Sequence, residues 1–174
     1  MDFIYKLDHR IIQFINTRLR NRFFDYFNIA VTYLGSDVFA VGLILALVLL
    51  PRHFFTPLAV NAALSLSFSA TLVQVLKRLI KRKRPFEVIH TLRTIKIGVD
   101  QYSFPSGHTT AAFALAMSTS ILTTSLLFST IFLVLAVMVG FSRVYLAVHY
   151  PSDVIAGAFI GSTVALMVHA IAFI

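Results

Sequence analysis

Thr109–Phe141, TTAAFALAMSTSILTTSLLFSTIFLVLAVMVGF, carries no Asp, Glu, Lys, Arg or His. As one helix it would rise about 50 Å at ~1.5 Å per residue, well beyond the ~30 Å hydrocarbon core of a bilayer. The same length just suffices for two short crossings. The stretch therefore reads as two membrane spans, broken somewhere between Ser118-Thr119-Ser120 and Thr123-Thr124-Ser125, where hydroxyl residues cluster.

The rest of the chain agrees with a lipid solvent. Of 174 residues, 58% are hydrophobic and 13% charged, against roughly 45–50% and 25% in ordinary soluble domains. The mean hydropathy is +0.85. This is one domain's worth of chain. Without cysteine, disulfides and thiolate metal sites are excluded. The net charge of +8 sits at the ends of apolar runs, which favours lipid headgroups or an anionic lipid over nucleic acid. No cleavable leader is expected, because Lys6, Arg10, Arg18 and Arg20 are not followed by a short apolar core and a small-residue cleavage site.

The expected fold is an all-α integral membrane bundle of about five transmembrane helices, preceded by an amphipathic interfacial helix. Residues 1–24 form that helix: Ile4, Leu7, Ile11, Ile15 and Leu19 recur at helical spacing, with Lys6, Arg10, Arg18 and Arg22 on other faces. A partly solvated surface helix is the plainer alternative. Spans are expected at about 31–50, 54–76, 107–122, 126–141 and 151–174, with 77–104 a polar loop. The first span is the weakest. Either Gly35-Ser36-Asp37 starts a short helix with Asp37 as its cap, or the helix begins near Val31 and buries Asp37. Pro51-Arg52-His53 reads as a tight turn, and Gly157 and Gly161 in the last span have the small-xxx-small spacing of close helix contact. Counting crossings then puts the surface helix, the 77–104 loop and Ser142–Tyr150 at the same face of the membrane. Clusters far apart in sequence can therefore share one pocket.

Three polar clusters fall at that face. Lys77, Arg84 and Arg143 supply fixed positive charge, and arginine's planar fork matches phosphate oxygens in pairs. The neighbouring Arg78, Lys81, Arg82 and Lys83 read as ordinary charges flanking a span. Arg143 follows more than thirty uncharged residues, and a charge there is expected to face a polar cavity. Pro105-Ser106-Gly107-His108 opens a helix whose first N–H groups lack partners, and Gly107 leaves room for an anion; a plain turn with an N-cap is the alternative. His149 and Asp153 are four apart, so the carboxylate can set the imidazole tautomer and leave the other nitrogen as base, nucleophile or ligand. Asp153 as a helix-start residue, with His149 a spectator, is the bland reading. Two imidazoles and a carboxylate are also a metal-ligand set, but three cations beside them favour an anion. No metal and no cofactor are expected. His9, His53, His90 and His169 are read as structural.

These clusters together resemble the type 2 phosphatidic acid phosphatase superfamily of membrane lipid phosphatases. Lys77, six residues, then Arg84-Pro85 match the first part of its pattern. Pro105-Ser106-Gly107-His108 match the second, and Ser142-Arg143, five residues, His149, three residues, Asp153 match the third. The matched region runs from Lys77 to Asp153. The first span of six-span members looks replaced by the surface helix.

The resemblance implies a metal-independent phosphohydrolase working through a phosphohistidine, within a single membrane phosphatase domain. His149 would attack phosphorus, Asp153 would orient it, and His108 would act as general acid. Lys77, Arg84, Ser106, Gly107 and Arg143 would hold the phosphoryl oxygens, with Ser142 and Pro105 in support, Ser142 by hydrogen bonding. Phosphatidylglycerol phosphate, undecaprenyl pyrophosphate, phosphatidate and lipid A 1-phosphate all fit as substrates, in a phospholipid bilayer and without nucleic acid. A lipid phosphotransferase with the same intermediate, or a non-enzymatic protein that binds anionic lipid, are the alternatives. The expected location is a bacterial cytoplasmic membrane. The resemblance puts the site on the extracytoplasmic side, whereas every Lys and Arg except Arg52 lies on the site's side, which positive-inside counting would make cytoplasmic.

Overall fold

The computed structural model describes residues 2–49, 52–123 and 125–172, and among them the secondary structure is helical with no strand. The helices are α1 (Asp2–Phe14), α2 (Arg22–Thr32), α3 (Asp37–Leu49), α4 (Arg52–Ile80), the single turn α5 (Pro85–Val88), α6 (Gly107–Leu122), α7 (Leu126–Tyr145) and α8 (Pro151–Ala172). Among the described residues, three segments are long and apolar enough to cross a membrane: Thr56–Val88, Leu126–Tyr145 and Pro151–Ala172. The α2–α3 pair, bent by 55°, makes a fourth if counted as one broken span. The expected count of about five is thus three or four by this measure. The remaining expected span is α6, only 16 residues long.

α6 is the centre of the bundle and packs against α8, α7 and α4. Its inward positions are small: Ala111, Ala112, Ala114 and Ala116 are all buried. Lipid tails are as apolar as leucine, so helices in a membrane associate through close packing, which small residues allow. Gly157 and Gly161 do this for α8. A Cβ on Gly157 would stand 2.6 Å from the Ser106 carbonyl, and one on Gly161 would strike that of Thr110. The same contact ties the start of α6 to the start of α8, where Ser106 N donates to Asp153 O at 3.1 Å. Between α4 and α6, buried Asn61 accepts a 2.7 Å hydrogen bond from Ser118 Oγ. In membranes such a bond contributes about 0.6 kcal/mol.

The expected surface helix over 1–24 is broken. After α1 the chain widens into a π-helical turn at Ile15–Leu19, and Arg20 and Asn21 leave helical geometry. Asn21 Oδ1 caps α2 by accepting from Phe24 N at 2.9 Å. Along α1, Phe3, Ile4, Leu7 and Phe14 face outward, while Ile12 and Ile15 pack on the Val144–Tyr150 segment. Of the expected apolar positions, Ile4 and Leu7 are exposed, Ile11 packs partly against that segment and Ile15 is buried in it.

At the first span the short-helix alternative is the one observed. α3 begins at Asp37, but Ser36 is the cap, accepting from Phe39 N at 3.2 Å, and Asp37 is exposed. Two helices run further than expected. α4 continues to Ile80, placing Lys77 in its last turn, and Lys81 at φ 52° closes it in the left-handed conformation common past helix ends. α7 continues to Tyr145, so Ser142 and Arg143 lie on the helix. In the expected turn after residue 50, Arg52 and His53 belong to α4 and Pro51 lies outside the described residues, as does Thr124 of the expected break.

Candidate active site

Three cations converge where α4, α7 and the segment after α4 meet. Lys77, Arg84 and Arg143 are 4%, 1% and 0% exposed. Arg84 sits just before Pro85, which holds it in extended backbone and starts α5 at its preferred first position. Glu87 Oε2 accepts from Arg84 N at 2.8 Å and fixes that backbone. The guanidinium then turns inward. Its Nη1 donates to Val148 O at 2.7 Å and lies 3.3 Å from His149 Nε2. Arg143 Nη1 donates to Thr32 Oγ1 at 2.7 Å, and its buried Nε has no partner. A guanidinium N–H left unbonded in a buried place is a donor available to an anion.

His149 rides on a tight turn between α7 and α8. Val148 N and His149 N both donate to Arg143 O, at 3.2 and 3.3 Å. Ala147 takes φ 58°, a left-handed conformation that costs an L-residue about 1–2 kcal/mol. Apolar packing of Ile12, Ile15 and Ile89 on this turn opposes that cost. Asp153 Oδ2 faces His149 Nδ1 at 3.6 Å, beyond hydrogen-bond length, and Nδ1 has no hydrogen-bond partner. The carboxylate itself is firmly held: Oδ2 accepts from Tyr150 N at 2.8 Å and from Ser103 Oγ, and Oδ1 accepts from Arg82 Nη1 at 2.5 Å.

The second motif lies at the start of α6. Pro105 follows a cis peptide bond. Ser106 occupies the N-cap position, fully buried, with Oγ 2.9 Å from Thr109 Oγ1. A Cβ on Gly107 would meet only Val73 Cγ1, at 4.0 Å, so the space beside it is open cavity. His108 lines the same cavity as His149 and Lys77. The hydrogen bond expected from Ser142 to the site is not made. Its hydroxyl donates at 2.6 Å to Val139 O, one turn back in α7, the usual outcome for serine inside a helix.

Two residues of the loop before this motif escaped the sequence reading. Asp100 bridges two of the cations: its carboxylate accepts from Lys77 Nζ at 2.6 and 2.8 Å and from Arg84 Nη2 at 2.7 Å. Burial opposes its charge, but the Lys77 and Arg84 cations prevail and hold the carboxyl below the usual range. Gly98 is left-handed at φ 55°, and a Cβ there would collide with the His108 ring. Its carbonyl accepts from Arg143 Nη2 at 2.9 Å. One short loop thus lays oxygen atoms on all three cations, the chemistry a phosphoryl group would present. A glycine two residues before an acid is the only signal in the sequence, and it is a weak one.

The cavity measures about 620 Å³. Lys77, Asp100, His108 and His149 line its polar end, and Ala40, Val41, Ile44, Leu66 and Ala70 of α3 and α4 line the rest. It joins a cationic seat to an apolar groove.

Burial pushes the His149 imidazole down to about 4; Asp153 pulls the other way, and the charges of Arg143 and Arg84 add to the lowering. His149 is then neutral near pH 7, with a lone pair on one ring nitrogen. A nitrogen-15 NMR titration, with His149 assigned by comparison with His149→Gln, is expected to show half-protonation at about 4. Titration near the ordinary 6.5 would mean that the ring is not held among cations.

A family model described as the PAP2 superfamily matches residues 58–173. An undecaprenyl-diphosphatase of Sulfolobus acidocaldarius is 32% identical over 114 residues, 63% of this chain, and the match spans 53% of that relative's length. The crystal structure of Aquifex aeolicus LpxE superposes with a TM-score of 0.83 at 28% identity, covering 94% of this chain and 95% of that one. That of the PAP2 type phosphatidylglycerolphosphate phosphatase from Bacillus subtilis superposes with a TM-score of 0.82 at 25% identity, covering 98% and 87%. With the family model spanning well over half of its length and membrane relatives of the same architecture, this integral membrane chain belongs to the PAP2 superfamily.

Proposed function

We propose that the chain is a single membrane phosphatase domain that hydrolyses lipid phosphomonoesters or pyrophosphates through a phosphohistidine at His149. The observation that carries this reading is the seat itself. Arg84 Nη1 lies 3.3 Å from His149 Nε2, buried Lys77 lines the same cavity, the charge of buried Arg143 also bears on the ring, and the other ring nitrogen faces a held carboxylate. Binding alone needs the cations; it does not need a neutral imidazole beside them.

The steps follow from the geometry. The phosphoryl oxygens replace Asp100 on Lys77 and Arg84 and take the free N–H of Arg143, with Gly107 leaving space for their approach and Ser106 fixing the start of α6. Fixed donors of this kind stabilise the charge that develops in phosphoryl transfer. With the phosphate dianion bound against those cations, His108 takes up a proton as imidazolium; His149 Nε2 then attacks phosphorus in line, and the bond to the leaving oxygen breaks as that imidazolium protonates it. Asp153 stabilises the imidazolium formed. Water, deprotonated by His108, then attacks the phosphohistidine and releases phosphate, returning both histidines to their starting states. No step calls for a metal ion.

The apolar groove between α3 and α4 suits a lipid tail, leaving the headgroup at the polar end. Relatives whose names specify undecaprenyl diphosphate, lipid A 1-phosphate and phosphatidylglycerol phosphate support those three among the four candidate lipids. The site would face the extracytoplasmic side of a bacterial cytoplasmic membrane; a cysteine placed at Lys96 and probed with an impermeant reagent tests that placement.

The functional test is phosphate release from phosphatidylglycerol phosphate, undecaprenyl pyrophosphate, phosphatidate and lipid A 1-phosphate. Release is expected from at least one, unchanged by a chelator and inhibited by vanadate. Tight headgroup binding with no release from any of the four would favour a non-enzymatic binding protein. Label passing to an alcohol acceptor instead of free phosphate would make the chain a transferase.

A further inference from the structure

Arg82 lies at none of the family's patterned positions, and in the sequence it reads as one flanking charge among several. Its guanidinium joins two buried carboxylates from opposite ends of the chain. Nη1 donates to Asp153 Oδ1 at 2.5 Å and to Ser152 Oγ at 2.8 Å, and Nη2 donates to Asp8 Oδ2 at 2.7 Å. The ring of Tyr150 lies 4.1 Å from the guanidinium carbon. Asp8 belongs to α1, whose outer face is apolar, yet it is 2% exposed and accepts from Ser152 N at 2.9 Å. Among the described residues, Arg82 is the one lysine or arginine ion-paired with Asp153.

Burying two carboxylates against a partly exposed guanidinium is costly, and apolar residues of similar size would often serve stability as well. What the charges add is direction. Asp153 Oδ2 is fixed by Ser103 Oγ and Tyr150 N, so the Arg82 bond to Oδ1 sets the remaining freedom of the carboxylate, its tilt toward His149 Nδ1. Asp8 in turn holds Arg82 from the other side. We propose that Asp8 and Arg82 form a positioning relay that aims the Asp153 carboxylate at His149, making the interfacial helix α1 part of the support of the reaction centre. This rests on the phosphatase reading above. Arg82 and Asp8 are positioning residues: neither lines the cavity, and they act through Asp153.

The test uses the full chain in detergent micelles with phosphatidylglycerol phosphate, together with the nitrogen-15 resonances of His149. Arg82→Gln is expected to lower kcat by about 10–100-fold, the usual scale for a partner that orients a reacting group. KM should stay within about 2-fold, because the phosphate seat is untouched. Arg82→Lys, which keeps the charge but cannot span both carboxylates, should fall between. Asp8→Asn should lower kcat in the same direction by less, and the His149 Nδ1 resonance should move in each variant. Wild-type kcat and an unmoved resonance in Arg82→Gln would overturn the relay. If that variant does not fold, Asp8→Asn, nearly the same shape, decides by the same two readings. If the wild type releases no phosphate from any of the four candidate lipids, that counts against the phosphatase reading alone. The resonance then decides the relay by itself: movement supports it and constancy overturns it.

Discussion

His149→Ala is expected to lower phosphate release by roughly 10⁵–10⁶-fold, the scale on which deleting a covalent nucleophile acts. The fold should survive, and the structure says why. His149 Nδ1 has no hydrogen-bond partner, so truncation leaves no donor or acceptor newly stranded on that side. Asp153 keeps Arg82, Tyr150 N and Ser103, and Arg84 keeps its bonds to Val148 O and to Asp100. The turn is held through backbone donors that alanine retains. Inactivity with an unchanged melting temperature and continued vanadate binding is therefore the expected pattern. Wild-type release from the alanine variant would remove His149 from the role of nucleophile.

His108→Ala should lower release from lipid phosphomonoesters by about 10²–10⁴-fold, the range of general acid catalysis. The size should depend on the leaving group. An alkoxide needs the proton, whereas p-nitrophenolate leaves without it, so p-nitrophenyl phosphate should lose much less in the first step. Its second step still lacks the base that activates water, and phosphoenzyme should accumulate as a burst. Equal losses on both substrates, with no burst, would mean that His108 holds phosphate instead of moving protons. Gly98 bears on the same residue, since its missing side chain is what lets the loop close on the His108 ring.

Much of this site is legible in the chain because spacing on helices translates directly into position. An uncharged run over 109–141 forces two passes, and counting passes puts Lys77, Arg84, His108, Arg143, His149 and Asp153 at one face. The structure brings those six together. What the sequence could not carry depends on contacts with no period. Arg82 looks the same as Arg78 or Lys83 on paper, and only the left-handed end of α4 at Lys81 turns it inward toward Asp8 and Asp153. Asp100 stands in a loop where no hydrophobic pattern fixes direction. The break in the surface helix rests on Asn21 finding Phe24 N, a local bond that competes with helical geometry. The Ser142 hydroxyl went to its own helix because the helix extends past it.

The covalent step at His149 is what the whole mechanism depends on. Rapid quenching of the enzyme with phosphorus-32-labelled lipid phosphate, followed by peptide mapping, reads it. The label is expected to be stable to alkali, labile to acid and confined to His149, and absent from the His149→Ala protein. Turnover with label on no residue, or on any other, would contradict the mechanism.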